Sequence, residues 1–208
     1  MRIIFVGASG HGKVCAEIAG LNGYNDILFL DDNRELKECA GYPVEGVKAD
    51  FEKYVDDSTY FFVSIGNGKT RKRIQEEIEA AKGNIATLIH PKSIVSNDVQ
   101  IGIDSVIMAG AVINPGTVIG KGVIVNTSSS IDHDCTINSY SHIAVGSHIC
   151  GFVHIGTNTW IGAGATISNH LSICDDCTIG AGALVIHDIT SPDTYVGVPV
   201  KRIGGISQ

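Results

Sequence analysis

Two carboxylates flank one histidine in the run Asp132-His133-Asp134. A carboxylate beside an imidazole can fix its tautomer and raise its basicity, so this run has the composition of a general base. His142, His148, His154 and His170 lie nearby in the chain, and none has an acid on either side. What His133 could do depends on its neighbours in space. A repeat in the sequence supplies one of them.

From Ile89 to Val185 every sixth residue is isoleucine or valine. That period fits neither a helix nor a flat strand, and it is the signature of a parallel β-helix built from hexapeptides. Four residues after each marker the side chain is usually small, as at Ser105, Ala111, Thr117, Ser129, Cys135, Ser141 and Ala165. Residues two apart share a face of a strand, so the marker and the small residue before it point inward while the residue between them points out. Glycine, asparagine and aspartate gather at the second to fourth positions, where the chain must turn a corner. Three hexads close one coil of eighteen residues, with coils stacked about 4.8 Å apart.

Gly151 is eighteen residues beyond His133 and therefore sits directly above it. A base beside an accessible backbone N–H is the pairing that acyl transfer needs, the N–H meeting the oxyanion. By the same phase His142, His148, His154 and Trp160 face outward from flat faces, and His170 lies at a corner. His133 and His142 are half a coil apart, on opposite sides of the prism. If both serve one site, two chains must build it.

Residues 1–84 lack the six-residue register and read as alternating strands and helices, giving an α/β domain ahead of a β-helix domain over 85–208. Strands are expected at Arg2–Val6, Ile27–Leu30, Tyr60–Ile65 and Ile85–Ile89, with helices at Lys13–Leu21 and Lys69–Lys82. The turn Gly7-Ala8-Ser9-Gly10-His11-Gly12 joins the first strand to the first helix, with glycine spacing unlike the dinucleotide fingerprint. Amides at such a helix start attract anions, and Asp31-Asp32 at the second strand's end could accept hydrogen bonds from a ribose or a base. One reading is a nucleotide site formed by this turn, Asp31 and Gly66. The other is a packing turn with a solvated acidic pair.

The 208 residues carry 22 acidic and 15 basic side chains, which gives no sign of a nucleic-acid or anionic-membrane surface. No apolar run is long enough to span a bilayer. The first residues read as a strand rather than a signal peptide, and a cytoplasmic location is expected. The cysteines should then be thiols, and Cys174 with Cys177 reads as packed thiols because their hexad phases differ. No metal site is expected.

The stretches Gly7-Ala8-Ser9-Gly10-His11-Gly12, Phe29-Leu30-Asp31-Asp32, Ile65-Gly66-Asn67, Asn126-Thr127-Ser128-Ser129, His133-Asp134-Cys135, Ser141-His142 and Tyr195-Val196-Gly197-Val198-Pro199 together resemble the PglD/NeuD-type sugar acyltransferases. The likeness is strongest to those that acetylate UDP-4-amino sugars in bacillosamine synthesis. It implies a Rossmann-like domain, a left-handed β-helix and a homotrimer with clefts between chains. It also implies acetyl-CoA as co-substrate, with no permanently bound cofactor. The same match makes His133 the base with Asp134 as its partner, where the bacillosamine enzymes carry a glutamate. It assigns Ser9, Gly10, His11, Asp31, Asp32 and Gly66 to the nucleotide sugar. His142, Ala163 and Ala181 fall to the acetyl-CoA cleft, with Gly151 as oxyanion donor, and Ala163 replaces a larger aliphatic residue. The expected reaction is N-acetylation of a UDP-linked 4-amino-4,6-dideoxy sugar. Its rivals are O-acetylation of a sugar such as sialic acid, a β-helix zinc enzyme, and a non-catalytic nucleotide-sugar sensor.

Overall fold

A computed structural model describes residues 1–204; the last four positions of the expected second domain lie outside the described residues. The chain forms two compact units, Met1–Pro91 and the part from Lys92 onward. Among the described residues no helix is long and apolar enough to cross a membrane.

The first unit runs β1 (Arg2–Val6), α1 (Gly10–Leu21), β2 (Asp26–Leu30), β3 (Glu38–Cys39), β4 (Tyr42–Gly46), a 3-10 turn (Lys48–Tyr54), β5 (Thr59–Val63), α2 (Gly68–Ala80) and β6 (Asn84–Ile85). The sheet order is β3-β4-β2-β1-β5-β6. Only β3 is antiparallel, pairing with β4 at one edge. The five parallel strands β4-β2-β1-β5-β6 therefore follow the Rossmann order short of its sixth strand, with the direction of winding reversed at β1. Ile3, Ile4, Phe5 and Val6 are fully buried, as expected for a central parallel strand covered on both faces. Phe5 stacks on Phe29 with ring centroids 5.1 Å apart.

Three local expectations change. Helix α1 begins at Gly10 rather than Lys13, so His11 and Gly12 belong to its first turn. Gly12 permits this, because a Cβ there would lie 2.7 Å from the Gly7 carbonyl and 3.0 Å from the Phe29 ring. The expected strand Ile85–Ile89 is two short strands, Asn84–Ile85 and Leu88–Ile89, the first of which completes the α/β sheet beside β5. The β3–β4 hairpin went unseen because Tyr42–Gly46 has no apolar run, and it contains Pro43.

The second unit is a parallel β-helix. From Ile94 to Val185 its strands are residue pairs at the sixth and first hexad positions, and the register advances by one coil of eighteen residues, as in Ile124↔His142, His142↔Trp160 and Trp160↔Thr178 along one face. Ser130↔His148 and Thr136↔His154 continue the other two faces. Ile113, Ile131, Ile143, Ile155, Ile161 and Ile179 stack inside with no exposure.

The hydroxyls of the inward small column do more than save space. Ser141 Oγ donates to the Gly156 carbonyl at 2.7 Å and accepts from the Thr159 amide at 3.1 Å. Thr117 Oγ1 likewise donates to the Asp132 carbonyl at 2.9 Å and accepts from the Cys135 amide at 3.2 Å. Buried corner amides and carbonyls need such partners. The corner backbone also has a strict rule: every fourth hexad position from Asp104 to Gly182 has positive φ. Glycine fills only some of these positions. Ser128, Asp134, Tyr140, Phe152 and His170 hold others.

Candidate active site

The corner Asp132–Cys135 presents His133. Thr117, one coil below Cys135, grips it at both ends through the two hydrogen bonds above. Asp132 secures the middle, its Oδ1 accepting from the His133 amide at 2.8 Å and from Asn114 Nδ2 at 2.8 Å. These bonds hold the Asp132 carboxyl below the usual range, Asn114 contributing most. Both carboxylates act on the imidazole through their charge, as the sequence suggested, but their hydrogen bonds divide the work. Asp132 holds the backbone, and Asp134 holds the ring.

Asp134 Oδ2 lies 2.8 Å from His133 Nδ1. A carboxylate can only accept, so Nδ1 carries the proton and neutral His133 keeps its lone pair on Nε2. The bond to Asp134 raises the His133 pKa, aided by the charges of Asp132 and Asp134 and opposed by desolvation. About half of each side chain is exposed, so a substrate can reach the pair. Asp134 adopts φ +56° at its corner.

Gly151 stands one coil above, as the repeat predicts. A Cβ on Gly151 would lie 2.9 Å from both Cε1 and Nε2 of His133. The imidazole edge bearing the free lone pair therefore rests against the bare α-carbon. Any side chain at 151 would displace the ring.

Face and corner positions sort the remaining β-helix residues. His142 is half-buried and stacks on Trp160 with centroids 5.0 Å apart and planes 25° apart. Asn126 Nδ2 is 3.1 Å from His142 Nε2, so that nitrogen accepts a hydrogen bond and is not an open base. Ala163 and Ala181 are exposed and lie one coil apart, at the corner that follows the His142–Trp160 face. The Ala163 carbonyl accepts from Gly182 N at 2.8 Å. The structure thus gathers His142, Ala163 and Ala181 along one edge and places His133, Asp134 and Gly151 on another.

In the α/β unit, Asp31 accepts from the Ala8 amide at 2.8 Å through one oxygen and from the Asn33 amide at 2.9 Å through the other. It pins the glycine turn to the end of β2. Asp32 instead pairs with Lys48 Nζ at 2.8 Å, which lowers its pKa. Gly7, at φ +112°, takes a conformation suited to glycine, and its carbonyl accepts from Ser64 Oγ at 2.5 Å. Ser9 is the N-cap of α1 and makes no side-chain cap bond. His11 is held neutral, its pKa lowered to about 4 by burial and by the Arg71 charge. Arg71, fully buried, donates to the Ile65 and Gly66 carbonyls at 2.7 and 2.9 Å and so shapes the Gly66 turn.

A cavity of about 430 Å³ opens beside Asp31, and its lining includes Arg34, Lys37, Glu45 and Asp50. Of the residues singled out from sequence, only Asp31 lines it. Arg34 and Lys37 carried no motif, and their place follows from the unseen hairpin. Cys174 and Cys177 have sulfurs 3.4 Å apart, closer than their hexad phases suggested, and burial pushes Cys177 up to about 12. Among the described residues no group of three or more histidine, cysteine or acidic side chains could hold a metal ion.

Residues 2–78 match the family model of the PglD N-terminal domain, and residues 152–187 match the bacterial transferase hexapeptide (six repeats) model. The acetyltransferase domain of PglB from Neisseria gonorrhoeae superposes with a TM-score of 0.94 at 38% identity, covering 97% of this chain and 99% of that one. The chain belongs to the PglD-type sugar acyltransferases. PerB from Caulobacter crescentus, solved in complex with CoA and GDP-perosamine, gives a TM-score of 0.93 at 28% identity and covers 98% of each chain. The GDP-perosamine N-acetyltransferase of Escherichia coli O157:H7 is 32% identical over 68% of this chain and 63% of its own length. The UDP-N-acetylbacillosamine N-acetyltransferase of Bacillus subtilis is 34% identical over 52% of this chain and 51% of its own. The chain therefore spans less than two thirds of these two curated relatives. In this chain Thr117, Asn114 and Arg71, which no sequence motif marks, hold these turns in place. The first two are findable, because each lies one coil below a residue that it holds.

Proposed function

We propose that the chain transfers an acetyl group from acetyl-CoA to the amine of a nucleotide-linked amino sugar, specifically a UDP-linked 4-amino-4,6-dideoxy sugar. One observation carries this reading: His133 has its Nδ1 proton engaged by Asp134 and its Nε2 turned to Gly151. The unprotonated fraction of the sugar amine attacks the thioester carbonyl, and His133 Nε2 takes the proton that the nitrogen sheds as the C–N bond forms. The Gly151 N–H meets the developing oxyanion. Collapse of the tetrahedral species breaks the C–S bond, and the imidazolium returns the proton to the departing sulfur. No covalent enzyme intermediate is needed. The cysteine that lies against this corner, Cys135, has its pKa pushed up to about 11 by burial, the opposite of an activated thiol.

In this reading the α/β unit holds the nucleotide at the carboxyl ends of its strands. Ser9, Gly10 and the first-turn amides of α1 face the diphosphate, and Asp31 keeps the turn in place. His11, Asp32 and Gly66 complete that site. His142, Ala163 and Ala181 line the acetyl-CoA cleft of a homotrimer. Relatives whose names specify GDP-perosamine and UDP-N-acetylbacillosamine support a nucleotide-linked amino sugar as the acceptor class.

Initial rates on the UDP-linked amino sugar, its GDP-linked counterpart and the free amino sugar test the reading. The UDP-linked form should react much faster than the free sugar, because nucleotide binding energy orients the distant amine. Asp31→Ala should raise KM for the sugar nucleotide and leave acetyl-CoA binding unchanged. Equal rates on free and UDP-linked sugars would remove the nucleotide site from the account. Faster acetylation of a sialic acid hydroxyl would replace N- with O-acetylation.

A further inference from the structure

One coil above Asp134 the positive-φ corner position is held by Phe152, and one coil above that by His170. The Phe152 ring meets His133 edge-on, with centroids 5.1 Å apart and planes at 89°. His170 lies flat on Phe152, at 4.7 Å and 6°. The backbone fixes both: the Phe152 amide donates to the His133 carbonyl at 3.1 Å and the His170 amide to the Gly151 carbonyl at 3.0 Å.

Stability does not account for this ladder. Phe152 is 49% exposed, so its ring adds little to the interior. Its φ of +59° is a conformation that bulky side chains rarely adopt; glycine fills the equivalent position at 110, 116, 122, 146, 164 and 182, and polar residues fill the others, so that Phe152 is the one apolar side chain in the column between 104 and 182. An aromatic kept in a strained, solvent-facing conformation beside a reacting nitrogen points to function.

We propose that Phe152, held in plane by His170, is the wall that receives the deoxy carbon of the acceptor sugar and selects 6-deoxy over 6-hydroxy acceptors. This rests on the acetyl-transfer reading above. In a 4-amino-4,6-dideoxyhexose the methyl sits on the carbon next to the one bearing the amine. An amine within hydrogen-bond reach of His133 must therefore bring that methyl close to whatever flanks the imidazole. Phe152 is the apolar flank, and it offers the methyl contact area but no hydrogen bond. A hydroxyl in the same place would lose water against the ring and gain no partner.

The test compares kcat/KM for UDP-linked 4-amino-4,6-dideoxyhexose with that for its 6-hydroxy counterpart. It uses the full-length wild type, Phe152→Gly, Phe152→Leu and His170→Gly. Wild type should favour the deoxy sugar by about tenfold or more, within the roughly 10²-fold at which an apolar pocket rejects an added hydroxyl. Phe152→Gly should bring the ratio near unity, with KM for acetyl-CoA unchanged. Its unfolding temperature should hold, since glycine suits this φ. Phe152→Leu should keep part of the preference, and His170→Gly should weaken it. An unchanged ratio in Phe152→Gly, or an equal loss on both sugars, overturns the proposal while acetyl transfer stands. A wild type that acetylates neither nucleotide sugar overturns the acetyl-transfer reading itself, and this proposal with it.

Discussion

His133 can act as a base only while Nε2 is unprotonated, and Asp134 sets the pH at which that holds. The hydrogen bond to Asp134 raises the histidine above its ordinary 6.5. The histidine's contribution to the acid limb of kcat/KM should therefore lie above that value, with activity rising as the imidazole loses its proton, in addition to the rise that deprotonation of the sugar amine brings to every variant alike. Asp134→Asn removes the charge that favours the imidazolium, so its acid limb should move to lower pH while the plateau falls. His133→Ala should cost at least about 10²-fold in kcat, and Asp134→Asn less. A pH–rate series on the three proteins checks both signs. An unmoved acid limb in Asp134→Asn would show that the carboxylate does not tune the base. Normal turnover by His133→Ala beside an inactive His142→Ala would exchange the two histidines' roles.

At the scale of the element, the corner supplies what the proposed reading needs to make a base of an ordinary histidine. Thr117, Asn114 and Asp132 lock the loop, and Gly151 on the next coil gives the ring room. Gly151→Ala should behave as a catalytic lesion with little loss of fold. Its methyl, 2.9 Å from Nε2, must push the imidazole off its place. A fall in kcat of about 10²-fold, the scale of losing a general base, is the expected result. Thermal unfolding within a few degrees of wild type should accompany it. Full activity in this variant would mean that the ring works from some other position.

The sequence announced this architecture because every hexad repeats the same three demands: a branched aliphatic inside, a small residue before it and a corner between. The vertical pairing of His133 with Gly151 followed from counting one coil. The positive-φ column was hidden because aspartate, serine, tyrosine, phenylalanine and histidine share it with glycine. Backbone geometry there is imposed by the coil and only partly written in residue type. In the α/β unit the central strands were legible as apolar runs. Asp31's grip on the Ala8 amide was not, since a hydrogen bond between two loops leaves no period in the sequence.

For the whole molecule, the register sets a geometric problem. His133 and Gly151 lie on one edge of the prism, and His142, Trp160, Ala163 and Ala181 lie along another. One acetyl group cannot meet both edges of a single chain, so a site that uses both must join two chains. Outward apolar side chains, Trp160 at 37% and Val145 at 50% exposure, suit a buried seam along the second edge. A closed ring of three chains would then carry three equivalent clefts, each pairing the His133 edge of one chain with the His142 edge of the next. Complementation tests this directly. His133→Ala and His142→Ala homotrimers should each be impaired, because every cleft lacks one partner. In a mixed trimer, going round the ring, one cleft combines the intact His133 of one variant with the intact His142 of the other. Co-expressed and doubly tagged mixed trimers should therefore recover up to about a third of the wild-type rate, as a heterologous ring requires. Sedimentation equilibrium should give a trimer for all of them. No recovery in the mixed trimers, or a fully active monomer, would mean that each chain contains a whole site, and His142 would lose its place in the cleft.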